Sequence, residues 1–257
     1  MNDEEFARKL DISLKNATIW VKTHREDIIK GGNIALIKMI QDADSVCADP
    51  EFSSLVDEFM AILSRPDCWK AMLDMKRSVN YFDINQTITK EIIDNKWALY
   101  AIAPGKAKLS EKQLDEFYDG DLWQGRQLTH QLWALCLLCE HRPADERIEH
   151  LMEHICDRLA NELKFDMAVV DVYIQKNAFI IKAGYPDKIN RRWIERIIEN
   201  QQDDGGWNDR WLCFRSYTDS RRPVFTSYPP SNQHATVQAL WLLYQVQHRY
   251  PKHFGME

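Results

Sequence analysis

Two histidines are the side chains best suited to move protons near neutral pH, His130 and His234. Each stands just ahead of a strongly apolar segment. His130 lies four residues before Ala134, in the run Gln131-Leu-Trp-Ala-Leu-Cys-Leu-Leu-Cys139, and His234 lies five before Ala239, in Val237-Gln-Ala-Leu-Trp-Leu-Leu-Tyr244. Asp94 holds the same place relative to Ala98. If these segments are helices lying side by side, the three side chains share one end of the assembly as an acid–base group. The competing reading is that each histidine caps a helix end and Asp94 is an ordinary first-turn acid that favours the helix dipole.

Two further clusters carry chemistry in their residue types. Residues 209–222 hold four arginines among aromatics, and guanidinium forks there suit a phosphate or carboxylate. Arg210, Arg215 and the Tyr217-Thr218 pair are the candidate contacts to an anionic group; the plainer alternative is a solvated loop paired with Asp203, Asp204 and Asp209. Cys136-x-x-Cys139-Glu140-His141 has metal-like spacing, but the cysteines fall inside an apolar run, where a free thiol behaves as a small hydrophobe. His150 and His154 are i, i+4 partners on the face opposite an Ile/Leu stripe, so both are expected in solvent. No metal site is assigned, and the sequence names no cofactor.

The elements that must position these groups are helices. In 144–163, Ile148, Leu151, Met152, Ile155, Leu159 and Leu163 recur at spacings of three and four, and 187–202 behaves alike with Ile189, Trp193, Ile194, Ile197 and Ile198. These helices are apolar on one side only. The segments after His130 and His234 are apolar almost all round and must be enclosed by other helices. The enclosed kind recurs around Ala35, Ala98, Ala134, Ala178 and Ala239, at intervals of 63, 36, 44 and 61 residues. The pattern predicts one all-α domain over 1–257. It is a ring of helix hairpins, complete or incomplete, with one-sided helices outside and enclosed helices facing a central cavity. Residues 166–173 carry β-branched side chains but run straight into an apolar helix pattern, so no strand is expected. Long loops are expected over 103–113 and 208–232.

Composition narrows the function classes. Lys plus Arg number 33 against 39 Asp plus Glu, a net charge of −6 that argues against general nucleic-acid binding. No apolar run approaches the roughly 20 residues that span a bilayer. The acidic opening Met1-Asn2-Asp3-Glu4-Glu5 does not read as an export signal, and the six cysteines show no disulfide framework, so free thiols in the cytoplasm are expected. Nine tryptophans exceed what a core of this size usually uses, which points to an aromatic pocket.

The segment Trp193-Ile194-Glu-Arg-Ile-Ile-Glu-Asn-Gln201-Gln202-Asp203-Asp204-Gly205-Gly206-Trp207, followed by Thr236-Val-Gln-Ala239-Leu240, resembles the QW repeat of the terpenoid cyclase and protein prenyltransferase superfamily. The match covers 191–244. The resemblance implies an α/α toroid whose cavity holds an apolar, often isoprenoid, substrate. The family's reactive motifs are not matched. Where class II cyclases carry Asp-x-Asp-Asp, this chain has Asn232-Gln233-His234-Ala235. Asp119-Gly120-Asp121 supplies two of those carboxylates at a different place. The metal-binding Asp-Asp-x-x-Asp and the prenyltransferase zinc ligands are absent.

Two functions follow as expectations. The first is an enzyme acting on a small apolar or amphipathic molecule with an anionic head, by cyclisation, isomerisation or group transfer. His130 and His234 would handle protons, Asp119 or Asp121 would serve as a secondary acid, and Trp97, Trp133, Gln238 and Trp241 would line the cavity. The second is a non-catalytic toroid that binds a ligand or a protein partner.

Overall fold

In the computed structural model of the protein, residues 1–63, 67–122, 125–142, 145–208 and 231–256 are described, apart from the side chains of residues 125 and 126. Within them are thirteen α-helices and no strand. They are α1 (Asp3–Thr23), α2 (Arg25–Gly31), α3 (Ile34–Cys47), α4 (Pro50–Ile62), α5 (Lys70–Leu73), α6 (Tyr81–Ile88) and α7 (Ile93–Ile102). The others are α8 (Glu111–Phe117), α9 (Gly125–His141), α10 (Glu146–Leu163), α11 (Asp171–Lys182), α12 (Arg191–Glu199) and α13 (Gln233–His248).

Local chemistry sets most starts. At α1, α3, α4, α6, α8, α10, α12 and α13 an Asn, Asp or Ser side chain accepts a hydrogen bond from a first-turn N–H, satisfying a group the helix cannot. Capping also trims two expected helices. Asp145 starts the 144–163 segment at Glu146, and Asn190 starts the 187–202 segment at Arg191, after a short 3-10 turn beginning at Pro186. The expected loop 103–113 is shorter by three residues, because Ser110 and Gln113 form a reciprocal capping box that opens α8.

The five repeat alanines fall on α3, α7, α9, α11 and α13. These helices form a row in which α7 packs on α9, α9 on α11, α11 on α13, and α13 on α3. One-sided helices cover the row: α1 lies on α13, α4 on α3, α10 across α9 and α11, and α12 on α11 and α1. The burial follows the sequence pattern. Ile148, Met152, Ile155, Leu159 and Leu163 are buried on α10, while every residue from Ala235 to Val246 on α13 is buried.

The row curls, and a closed set of charges ties it across the middle. Lys38 and Asp42 of α3, Glu140 of α9 and Lys182 of α11 alternate in sign around a ring. Lys38–Asp42 is 3.1 Å, Lys38–Glu140 3.4 Å, Lys182–Asp42 2.8 Å and Lys182–Glu140 2.7 Å. All four are largely buried, so each charge depends on its two neighbours for the solvation it has lost. Burial pushes the Asp42 carboxyl up, but Lys182 and Lys38 outweigh it and hold the group below the usual carboxylate range. Burial lowers Lys182, yet Asp42 and Glu140 together raise it to about 12.

The segment after α12 is fixed by its own hydrogen bonds. Gln201 Nε2 donates to the carbonyls of Ser13 and Gly205, both at 2.8 Å. The Trp207 indole N–H donates to the carbonyl of Ile197 at 2.8 Å, and its main-chain N–H to Thr236 Oγ1 at 2.9 Å. Thus one turn binds α1, α12 and α13. Gly205 has φ +90°, and a Cβ there would stand 2.7 Å from the Asn16 carbonyl oxygen.

Two stability measurements test these anchors. Glu140→Gln should leave the lysines undercompensated and lower stability by roughly 3–5 kcal/mol in denaturant unfolding. The stabilisation from Asp42 should be full above the ordinary carboxylate pKa and fade as pH falls below it; that from Lys182 should be full below the ordinary lysine pKa and fade as pH rises toward 12. Gly205→Ala should cost roughly 1–3 kcal/mol through backbone strain alone and lower the Tm.

Candidate functional site

The central helices begin at one end of the row, and polar groups collect there. His234, in the first turn of α13, places Nδ1 3.2 Å from Asp171 Oδ2 at the start of α11. Gln238, one turn further along α13, sets its amide nitrogen 3.1 Å from both ring nitrogens. Thr129 of α9 donates to Gln175 Oε1 of α11 at 2.6 Å, both side chains being buried. The start of α13 also meets the turn between α2 and α3, since Gln233 packs against Gly31. A carboxylate on one histidine nitrogen fixes the orientation of the ring.

Beside this rim a cavity of about 370 Å³ opens where the two ends of the row face each other. Ile34 and Ala35 of α3, Asn95 of α7 and Trp133 of α9 line it. Phe59 and Leu63 from the end of α4, Asp67 and Trp69 just before α5, and Gly32 and Asn33 just before α3 also line it. Its volume is at the low end of the range for small-molecule sites, and its lining has their usual character, apolar and aromatic with a few polar groups. Further along α3, α9 and α11 lies the Lys38–Asp42–Lys182–Glu140 ring.

The residues singled out in the sequence separate in space. His234 stands on the rim with Gln238. His130 is half-buried on α9, one residue after Thr129. Asp94 is buried in the first turn of α7, next to the cavity-lining Asn95. Of the three tryptophans, Trp133 borders the cavity, whereas Trp97 packs on Phe117 and Trp241 on Phe179, both 1% exposed. The indole N–H groups of Trp97 and Trp241 have no hydrogen-bond partner among the described residues.

Asp119 and Asp121 belong to a different neighbourhood. The Asp119 carboxylate accepts from the Asp121 N–H at 2.8 Å. The Asp121 carboxylate meets His154 at 3.2 Å and Arg158 at 3.7 Å on the covering helix α10. Arg210, Arg215, Tyr217 and Thr218 lie outside the described residues. Cys136 is enclosed, and burial drives its thiol up to about 12, so it stays protonated. His150 and His154 are exposed on α10. Among the described residues no three His, Cys, Asp or Glu side chains converge as a metal site, and no helix is long and apolar enough to cross a membrane.

Sequence reasoning missed Asp171, Asp67 and Trp69. Asp171 carries a readable signal, since an acid opening an apolar helix is the same cue that marked Asp94. Asp67 and Trp69 carry none: they sit in the long interval between Ala35 and Ala98, whose path only the folded chain reveals. Comparison with protein-family models, with curated proteins and with solved structures finds no match to this chain.

Proposed function

We propose that this chain is a terpenoid-cyclase-like α/α toroid, its five central helices forming the inner wall. In this reading it is an enzyme that takes a small apolar or amphipathic, isoprenoid-type molecule into the cavity between α3, α7 and α9. The observation that carries the reading is the aromatic-walled cavity of about 370 Å³ at the rim where the central helices begin. The apolar part of the ligand rests on Phe59, Leu63 and Trp133, and its polar end stays at the rim. His234, oriented by Asp171, is the group that gives or takes a proton in a cyclisation, isomerisation or group transfer, with His130 of α9, on the far side of α11, as its partner.

A second reading keeps the binding site and drops the chemistry. It is favoured by Asn232-Gln233-His234 standing where the superfamily acid would be, and by the Gln238 amide already lying against His234. On this view the protein is a ligand-binding or accessory subunit.

Titration with geraniol, followed by tryptophan fluorescence, tests the common part. Saturable quenching is expected, and Ala35→Phe, which places a ring in the cavity, should abolish it with the helical circular dichroism unchanged. No quenching at any soluble concentration would overturn the reading. The two versions part on His234→Ala. In the enzyme, conversion of a bound isoprenoid, measured by gas chromatography, disappears while binding stays within about twofold; a matching fall in Tm would make the residue structural.

A further inference from the structure

The charge character of the cavity wall is lopsided. Of the described residues that line it, Asp67 is the one ionisable group, and no Lys, Arg or His is among them. Three aromatic side chains, Phe59, Trp69 and Trp133, stand in the same wall. Asp67 is held in place by its own loop, because Oδ1 accepts from the Trp69 N–H at 2.9 Å. That bond sets the carboxylate against the main chain of Trp69. Asn95 adds an amide to the wall, and its nitrogen donates to Glu91 Oε2 at 2.6 Å, which brings a second carboxylate behind it.

The N-terminal ends of α3 and α7 also reach this cavity. Both are already offset. Asn33 caps α3 through the Ala35 N–H at 3.1 Å, and Asp94 lies in the first turn of α7. What remains among the described residues is a half-open, largely apolar cavity with aromatic residues and a carboxylate in its wall. Faces of Trp and Phe attract cations through the ring quadrupole, most strongly where water is excluded. A phosphate or carboxylate would meet like charge from Asp67.

We infer that the polar end of the ligand is an organic ammonium group, a compact or methylated amine seated between Trp69, Trp133 and the Asp67 carboxylate. This rests on the reading of the cavity as the ligand site and replaces the anionic head expected from the arginine-rich segment. The ligand class is then an apolar amine or a choline-like quaternary ammonium.

Calorimetric titration of the whole chain with three probes of similar size tests this: choline, its uncharged carbon isostere 3,3-dimethylbutan-1-ol, and dimethylallyl diphosphate. Choline is expected to bind about tenfold or more tighter than the isostere, and the diphosphate weakest. Asp67→Asn keeps an oxygen to cap Trp69, so the fold should hold; it should erase most of choline's advantage and leave the isostere unchanged. Trp69→Leu should weaken choline more than the isostere. Equal binding of choline and isostere, or tightest binding of the diphosphate, would overturn the ammonium assignment while leaving the cavity reading intact. Silence from all three probes also overturns the assignment, and the geraniol titration then decides the cavity reading by itself.

Discussion

Four buried charges hold the middle of this molecule, and the placement of the rest follows from them. Lys38, Asp42, Glu140 and Lys182 come from three different central helices, so their ring can close only when α3, α9 and α11 converge. An apolar contact would tolerate sliding or rotation of one helix on another. A buried ion ring does not, because each charge stripped of water has two opposite charges at fixed distances. The tie fixes the lateral spacing of the row and closes one end of its interior. The open end, where the helices begin, is left for polar groups and a cavity.

The division of the interior has a simple electrostatic basis. Central helices that run the same way put their N–H ends at one rim. Asn33, Asp94, Asp171 and Asn232 meet the unsatisfied N–H groups or positive dipoles there, and His234 finds Asp171 because α11 and α13 are neighbours. The cavity occurs where the row fails to close on itself. Between α3 and α7 the covering material is the end of α4 and the short segment before α5, and these bring Phe59, Trp69 and Asp67 to face Trp133. The aromatic wall and the acid are therefore consequences of one gap in the packing.

Much of the architecture was legible in the sequence. Near-continuous apolar runs around Ala98, Ala134, Ala178 and Ala239 marked the enclosed helices, and the three-and-four spacing of 144–163 marked a covering one, because burial on all sides and burial on one side leave different periodicities. The Gln201–Trp207 turn was readable too, since Gly205 sits at a backbone conformation that suits glycine alone. The site was less legible. His234 stood out by its place before a helix, but its partner Asp171 lies 63 residues away, a separation that no local pattern spans. Asp119 and Asp121 looked like a fragment of a known acid motif, whereas Asp121 faces a covering helix and pairs with His154.

The sequence by itself determined that the chain is helical and which helices are enclosed, because periodicity acts over a few residues. Only the tertiary structure decided which charges pair, where the row leaves a gap, and which side chains line it. Lys38 and Lys182 gain a shared partner only when α3 and α11 come together, and Asp67 and Trp69 join Trp133 in one wall only once the chain has folded. Those outcomes depend on contacts between segments far apart in sequence, and the energy of such contacts exists only once the segments have met.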